Sequence, residues 1–352
     1  MKLLAQLALL WIRPAAAFLP RTYARSSLLR MSAGTMAGAP AEKHTVLVVG
    51  CGGKLGSLIF GWLQEASNNG PRTGMKHPRG LTGHPKSARL LNSVLSGPFM
   101  LGQAGEQYVY AETAWQDPDE LAVRMFPGNY GVVFGSAMAT ERWQISGTPF
   151  EDLRFEGSDT TSTAVNGAAP ASLRERADQL ARIADGAAAA GVRHAVCVLG
   201  GALGGGDDDD ASQERRELDG AAVEALVGAG VPFTLVVPVA PQPALKDAPG
   251  WYFRKGVERR RLALSARDVT GEDAVKVADA VKDAVKAAAA AADEEAGPLM
   301  MEDVSRLVSE SLQHCPPEKS RVIAVSAAAD GEAAISKVTE NEEYFAKLLA
   351  SV

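Results

Sequence analysis

Residues 44–66 read HTVLVVGCGGKLGSLIFGWLQEA: an aliphatic, β-branched run ends in glycines and passes at once into an amphipathic segment. This is the stretch that most restricts how the chain can fold. Thr45 to Val49 have the composition of a short parallel strand, whose two faces both meet apolar neighbours. Gly50, Gly53 and Gly56 follow at GxxGxxG spacing, with Gly52 as an extra. The first glycine permits a sharp turn out of the strand. The middle pair, Gly52 and Gly53, lets backbone amides approach a pyrophosphate with no Cβ between them, and the last lets helix and strand pack closely. Leu55, Ile59, Phe60 and Leu63 recur at helical spacing. Lys54 and Leu55 therefore open a helix whose N-terminal amides point at the phosphates. Strand, glycines and helix in that order form a dinucleotide-binding signature; the alternative is a tight turn in some other α/β protein.

A second strand and the adenosine end of the dinucleotide are expected just downstream. There, NNGPRTGMKHPRGLTGHPKSARLL shows no clear strand and lacks the acidic residue that NAD sites carry about twenty positions on. It offers Arg72, Lys76, Arg79, Lys86 and Arg89 instead. Cations here favour the 2′-phosphate of NADP(H) over NAD(H), while a solvated basic loop is the other reading.

The remaining pattern alternates. QYVYAETA reads as a strand, DPDELAVRMF as a turn and short helix, and YGVVFGSAM as a strand whose apolar core ends at Gly135 and Ser136. PASLRERADQLARIADGAAAAGV is a long helix, RHAVCVLGG a buried strand, and ERRELDGAAVEALVGAGV a helix with Gly230 placed to cap it. PFTLVVPVAP is the strand after it. Strands alternating with helices predict an α/β fold with a doubly wound parallel sheet, Rossmann-like. On this reading residues 42–240 form the dinucleotide domain and 241–352 complete it. From about 240 the pattern loosens. An alanine-rich helix at 272–296 reads as a peripheral insertion, since alanine buries little surface. MMEDVSRLVSESL is another helix, SRVIAVSA a strand, and a last helix carries Tyr344, Phe345 and Leu349.

Residues 1–41 stand apart as an address. LLAQLALLWI after Lys2 is too short to span a bilayer and suits a signal-peptide core. Ala15 and Ala17 supply the small-residue cleavage pattern ahead of Phe18. The segment beyond is basic and hydroxylated, with no acid before Glu42, which is transit-peptide composition. Signal peptide, phenylalanine and transit peptide resemble the two-part leader of plastid proteins in algae with secondary plastids. Plain secretion and a mitochondrial presequence are the alternatives. No membrane span is expected in the mature protein. The net charge of −6 gives no basic face for nucleic acid. Cys51, Cys197 and Cys315 show neither CxxC nor Cys/His metal spacing, so no metal is expected, and Cys51 and Cys197 read as small buried hydrophobes.

VVGCGGKLG, AAAAGVRHAVCVLG, EALVGAGVPFTLVVP and MEDVSRLVSESL together resemble the NmrA-like branch of the atypical short-chain dehydrogenase/reductases, over about residues 45–328. The fit is poor at 67–105 and 241–297. The resemblance implies a Rossmann domain with a small C-terminal lobe, usually binding NADP. It implies pyrophosphate glycines at Gly50, Gly53 and Gly56, and a strand end beside the cofactor at Gly135 and Ser136. Leu199 and Gly200 stand where catalytic members place a serine, and Pro238 matches the proline after the sixth strand, with Val237 in place of a frequent arginine. Family members include reductases of quinones and aldehydes, epimerase relatives, and regulators or assembly factors without turnover.

Catalysis in the related classical enzymes uses a Tyr-x-x-x-Lys helix, whose tyrosine passes the proton. Of the six tyrosines here, none has a lysine four positions later. Where that helix should begin the chain reads GGALGGGDDDDASQERRE, and Asp207 to Asp210 read as a solvated loop rather than a metal site. No catalytic residue is assigned. The expectation is an NAD(P)-binding protein acting as a reductase on a small carbonyl, quinone or sugar-like substrate. The alternative is a non-catalytic scaffold, assembly factor or redox sensor with a protein partner.

Overall fold

Eight strands of the described residues join one sheet in the order β3-β2-β1-β4-β5-β6-β8-β7. The computed structural model describes residues 44–51, 54–68, 76–82, 109–111, 128–136, 172–200, 210–239, 262–269, 273–291, 299, 301–315, 318–328 and 338–350. The strands are β1 (Val46–Val49), β2 (Arg79–Thr82), β3 (Val109–Ala111), β4 (Gly131–Phe134), β5 (His194–Val198), β6 (Phe233–Pro238), β7 (Leu262–Val269) and β8 (Ser320–Ala327). The helices are α1 (Lys54–Asn68), α2 (Leu173–Ala189), α3 (Asp210–Ala229), α4 (Ala274–Ala291), α5 (Met301–His314) and α6 (Val338–Ala350). Every neighbouring pair is parallel except β7 with β8. The order 3-2-1-4-5-6 is that of the Rossmann fold, and β8 and β7 extend it.

Strand side chains alternate between two apolar layers, because successive residues of a strand point to opposite faces. Leu47 and Val49, Val132 and Phe134, Ala195 and Cys197, and Phe233, Leu235 and Val237 enter one layer with residues of α2, α3 and α4. Val46 and Val48, Val133, Val196 and Val198, and Val236 enter the other with residues of α1, α5 and α6. Helices on both faces explain why the central strands are apolar throughout. The helix ends follow local rules. Ser172 and Glu175 close a reciprocal capping box at the start of α2, and Gly230, at φ +67°, ends α3.

Three expectations are corrected. A strand does occupy the irregular basic stretch: β2 is RGLT, with Leu81 buried between β1 and β3. A further strand, β7, forms where the pattern loosened, and among the described strands it pairs with β8 alone, at the sheet edge. The alanine-rich helix is not peripheral. Val277, Val281 and Ala284 of α4 are fully buried, and Ser326 of β8 donates its hydroxyl hydrogen to the Ala288 carbonyl at 3.1 Å. Valines spaced four apart give α4 a continuous apolar stripe, which the small alanines let approach the sheet.

On the opposite face α5 packs against α1. Trp62 Nε1 donates to Ser305 Oγ at 3.0 Å, and the Arg306 guanidinium lies 5.1 Å from the Trp62 ring centre and 4.9 Å from that of Phe345. This buried arginine joins α1, α5 and α6. No described helix is long and apolar enough to cross a membrane.

Candidate functional site

The sheet reverses its winding between β1 and β4, which are neighbours. Ligands of open α/β sheets lie in the crevice outside the carboxyl ends of the strands at such a switch point. Gly50 follows β1 at φ +80°, in the left-handed region that glycine alone enters freely. Its N–H and that of Cys51 both donate to the Leu81 carbonyl of β2, at 2.8 and 3.2 Å. The turn is thereby tied to β2 before α1 begins at Lys54. Gly56, in the first turn of α1, packs directly on that turn: a Cβ there would overlap the Gly50 carbonyl oxygen and stand 3.0 Å from the Cys51 Cα. The third glycine thus brings helix and strand together as its spacing required. Leu55 is buried beneath it. Gly52 and Gly53 lie outside the described residues, as does the Lys54 side chain.

The carboxyl ends of β4, β5 and β6 follow in order on the other side of β1 from β2. At Gly135 a Cβ would fall 2.6 Å from the Val198 nitrogen and overlap its carbonyl oxygen, so β4 and β5 touch backbone to backbone. Leu199 is fully buried and its N–H donates to Val236 O at 3.0 Å. Pro238 ends β6 in register with Val325 of β8. Gly50, Gly56, Gly135, Ser136, Leu199, Gly200 and Pro238 therefore gather along one end of the sheet. At Gly56 and Gly135 the place of the missing Cβ is taken by protein backbone, so helix packs on strand, and strand on strand, at van der Waals contact.

One participant was not foreseen. Asp219, on the inner side of α3, is fully buried. Its Oδ1 accepts a hydrogen bond from Ser136 Oγ at the end of β4 and another, at 2.7 Å, from the Gly200 N–H at the end of β5. A single carboxylate thus clamps two strand ends. The sequence signal was an acid on an apolar helix face, among Leu218, Ala222 and Val223.

Several groups stand away from the crevice. Lys76 gives its N–H to the His44 carbonyl at 2.7 Å, before β1, and Arg79 is the first residue of β2. Both are on the amino side of the strand, so neither occupies its carboxyl end, Thr82. Arg72, Lys86 and Arg89 lie outside the described residues. His194 begins β5 at the amino end, where its Nε2 is 3.0 Å from Thr234 Oγ1. Tyr344 is engaged at the far edge, its hydroxyl accepting from the Leu262 N–H at 2.8 Å. Asp210 is the first residue of α3; its side chain, like Asp207 to Asp209, lies outside the described residues. All three thiols are free and buried, and burial lifts them above the ordinary thiol range.

No protein-family model matches the chain, and no curated protein matches it. Solved structures do. The oxidoreductase YlbE from Lactococcus lactis is 12% identical, with 88% of this chain and 96% of that one covered, at a TM-score of 0.46. The triphenylmethane reductase of Citrobacter sp., solved with NADP(H), is 11% identical, with 81% and 72% covered, at 0.40. An NADPH-dependent quinone oxidoreductase from Escherichia coli, solved with NADPH, is 16% identical, with 56% and 49% covered, at 0.33.

Proposed function

We propose that this chain binds NADP(H), in preference to NAD(H), at the β1–α1 turn, and that it is an NADPH-dependent reductase of a small carbonyl, quinone or sugar-like substrate. The observation that carries the reading is the seat of Gly56 on the Gly50 carbonyl at the switch point of a Rossmann-ordered sheet. In this reading Gly50, Gly52, Gly53, Lys54, Leu55 and Gly56 surround the pyrophosphate. Gly135, Ser136, Leu199, Gly200 and Pro238 form the floor of the nicotinamide half. Lys86 and Arg89, the basic residues that follow Thr82 in sequence, favour a 2′-phosphate. The bound dinucleotide would supply hydride to the substrate. The protein's part is to orient the reactants, and the proton that completes the reduction would come from water or from an acid that carries no sequence signature. The composition of residues 1–41 supports a plastid address, with secretion and a mitochondrial presequence as the alternatives.

A second reading is a cofactor-binding scaffold, assembly factor or redox sensor. It is favoured by the missing Tyr-x-x-x-Lys pair and by the use of Asp219, a buried acid among the described residues of the site, as a clamp. Thermal-shift titration with NADPH and NADH tests the shared premise, because a ligand that binds the native state raises its melting temperature by mass action. The expected result is a larger rise with NADPH, and no rise with either would defeat both readings. A panel of carbonyls and quinones then separates them: NADPH consumption supports the reductase, and binding without consumption supports the scaffold.

A further inference from the structure

We propose that Asp219 sets the redox-state preference of the bound dinucleotide: its buried negative charge, held under the ends of β4 and β5, favours the oxidised, positively charged nicotinamide over the neutral reduced ring. The inference rests on the dinucleotide reading above and goes beyond it to the form that is held more tightly.

The placement comes from the fold. The glycine turn after β1 and the ribose-reading position beyond β2 assign the adenosine half of such a ligand to β1–β3. The nicotinamide half then belongs to β4–β6. Asp219 holds the ends of the first two of these strands, through Ser136 Oγ and the Gly200 N–H. Converging donors are how proteins accommodate a charge away from water. Buried charges are also screened less than surface ones, so their fields reach further. On β5 the Asp219 carboxylate adds to burial in raising the Cys197 thiol. Oxidation changes the ring by one positive charge and changes its outline little. A fixed charge can therefore separate the two forms where shape cannot. Asp219 acts here as a positioning and specificity residue, from beneath the strand ends.

The test is calorimetric titration of the full chain with NADP⁺ and with NADPH at one fixed salt concentration. Asp219→Asn keeps the shape and an acceptor oxygen while removing the charge. The ratio Kd(NADPH)/Kd(NADP⁺) is expected to fall by about threefold to tenfold in that variant. Ser136→Ala breaks half the clamp and keeps the charge, so it should weaken both forms together and leave the ratio within about twofold. An unmoved ratio in Asp219→Asn, or an equal movement in Ser136→Ala, overturns the inference. Should Asp219→Asn fail to fold, the double variant Ser136→Ala/Asp219→Leu replaces both partners by apolar groups and is read the same way. A wild-type chain that binds neither form defeats the dinucleotide reading itself. Binding of both with an unmoved ratio defeats this inference alone.

Discussion

Gly56 sits against the carbonyl of Gly50, six residues earlier in the chain and on the other side of the turn between β1 and α1. There is no room for a methyl group between them. The first prediction follows from that contact. Gly56→Ala must push α1 away from β1 and should cost roughly 1–3 kcal/mol of stability, the usual range for overpacking. In the proposed site it should also weaken NADPH binding by at least about tenfold, or 1.4 kcal/mol, because the amides proposed to face the phosphates would move with the helix. Urea unfolding and calorimetry measure the two effects. A variant with wild-type stability would contradict the close packing.

Gly53→Val makes the contrasting case. In the proposed site this glycine faces the pyrophosphate rather than the protein. The branched side chain should abolish nucleotide affinity while the melting temperature without ligand stays within a few degrees, about 1 kcal/mol or less. Unchanged affinity would remove Gly53 from the site.

Asp219→Ala leaves the Ser136 hydroxyl and the Gly200 N–H, both at strand ends, without their shared acceptor. Hydrogen bonds to charged groups contribute about 1.5–3 kcal/mol each, and the loss of two should total roughly 3–6 kcal/mol. Urea unfolding should also rank Asp219→Asn between wild type and alanine. Equal stability of all three would show that the clamp contributes nothing.

Val281 of α4 is fully buried against the sheet. Val281→Ala should cost roughly 2 kcal/mol, a core value. Val275, 69% exposed on the same helix, should tolerate alanine within about 0.5 kcal/mol. Equal, small effects at both positions would return α4 to the periphery.

Burial lifts the thiols of Cys51, Cys197 and Cys315 above their ordinary value of 9.0. Below pH 9 they are neutral whether the chain is folded or not, and they add no pH dependence. Above it the unfolded chain loses these protons while the folded chain keeps them, so unfolding is favoured as pH rises. Stability should therefore decline from about pH 9 upward. At pH 8 a thiol-specific reagent should label none of the three in native protein and all three in urea. Rapid native labelling would refute the burial.

How much could be read before folding depends on how local each cause is. β1, β4, β5, β6 and β8 were legible because strands covered on both faces must be apolar along their whole length. β2 was not legible. In RGLT only Leu81 has the expected character, and the strand exists because β1 and β3 bond it from both sides. β7 hid for the opposite reason. At an edge its partly exposed residues show no clean alternation, and pairing with β8 defines it, including the Asp268–Arg321 ion pair at 3.1 Å across the register. In α4 the valine spacing was present, but the alanine content masked it.

The turn from β1 into α1 was written in the sequence. A left-handed turn residue, a close packing residue and an apolar stripe are requirements of neighbouring residues, and short-range sterics impose them wherever the chain lies. The clamp was decided by tertiary structure alone. Ser136 and Asp219 are 83 positions apart, and they meet because β4 and β5 are neighbours and α3 lies across them. An isolated serine, glycine and aspartate carry no mark of one another. Their bond depends on strand order, and strand order is a property of the whole sheet.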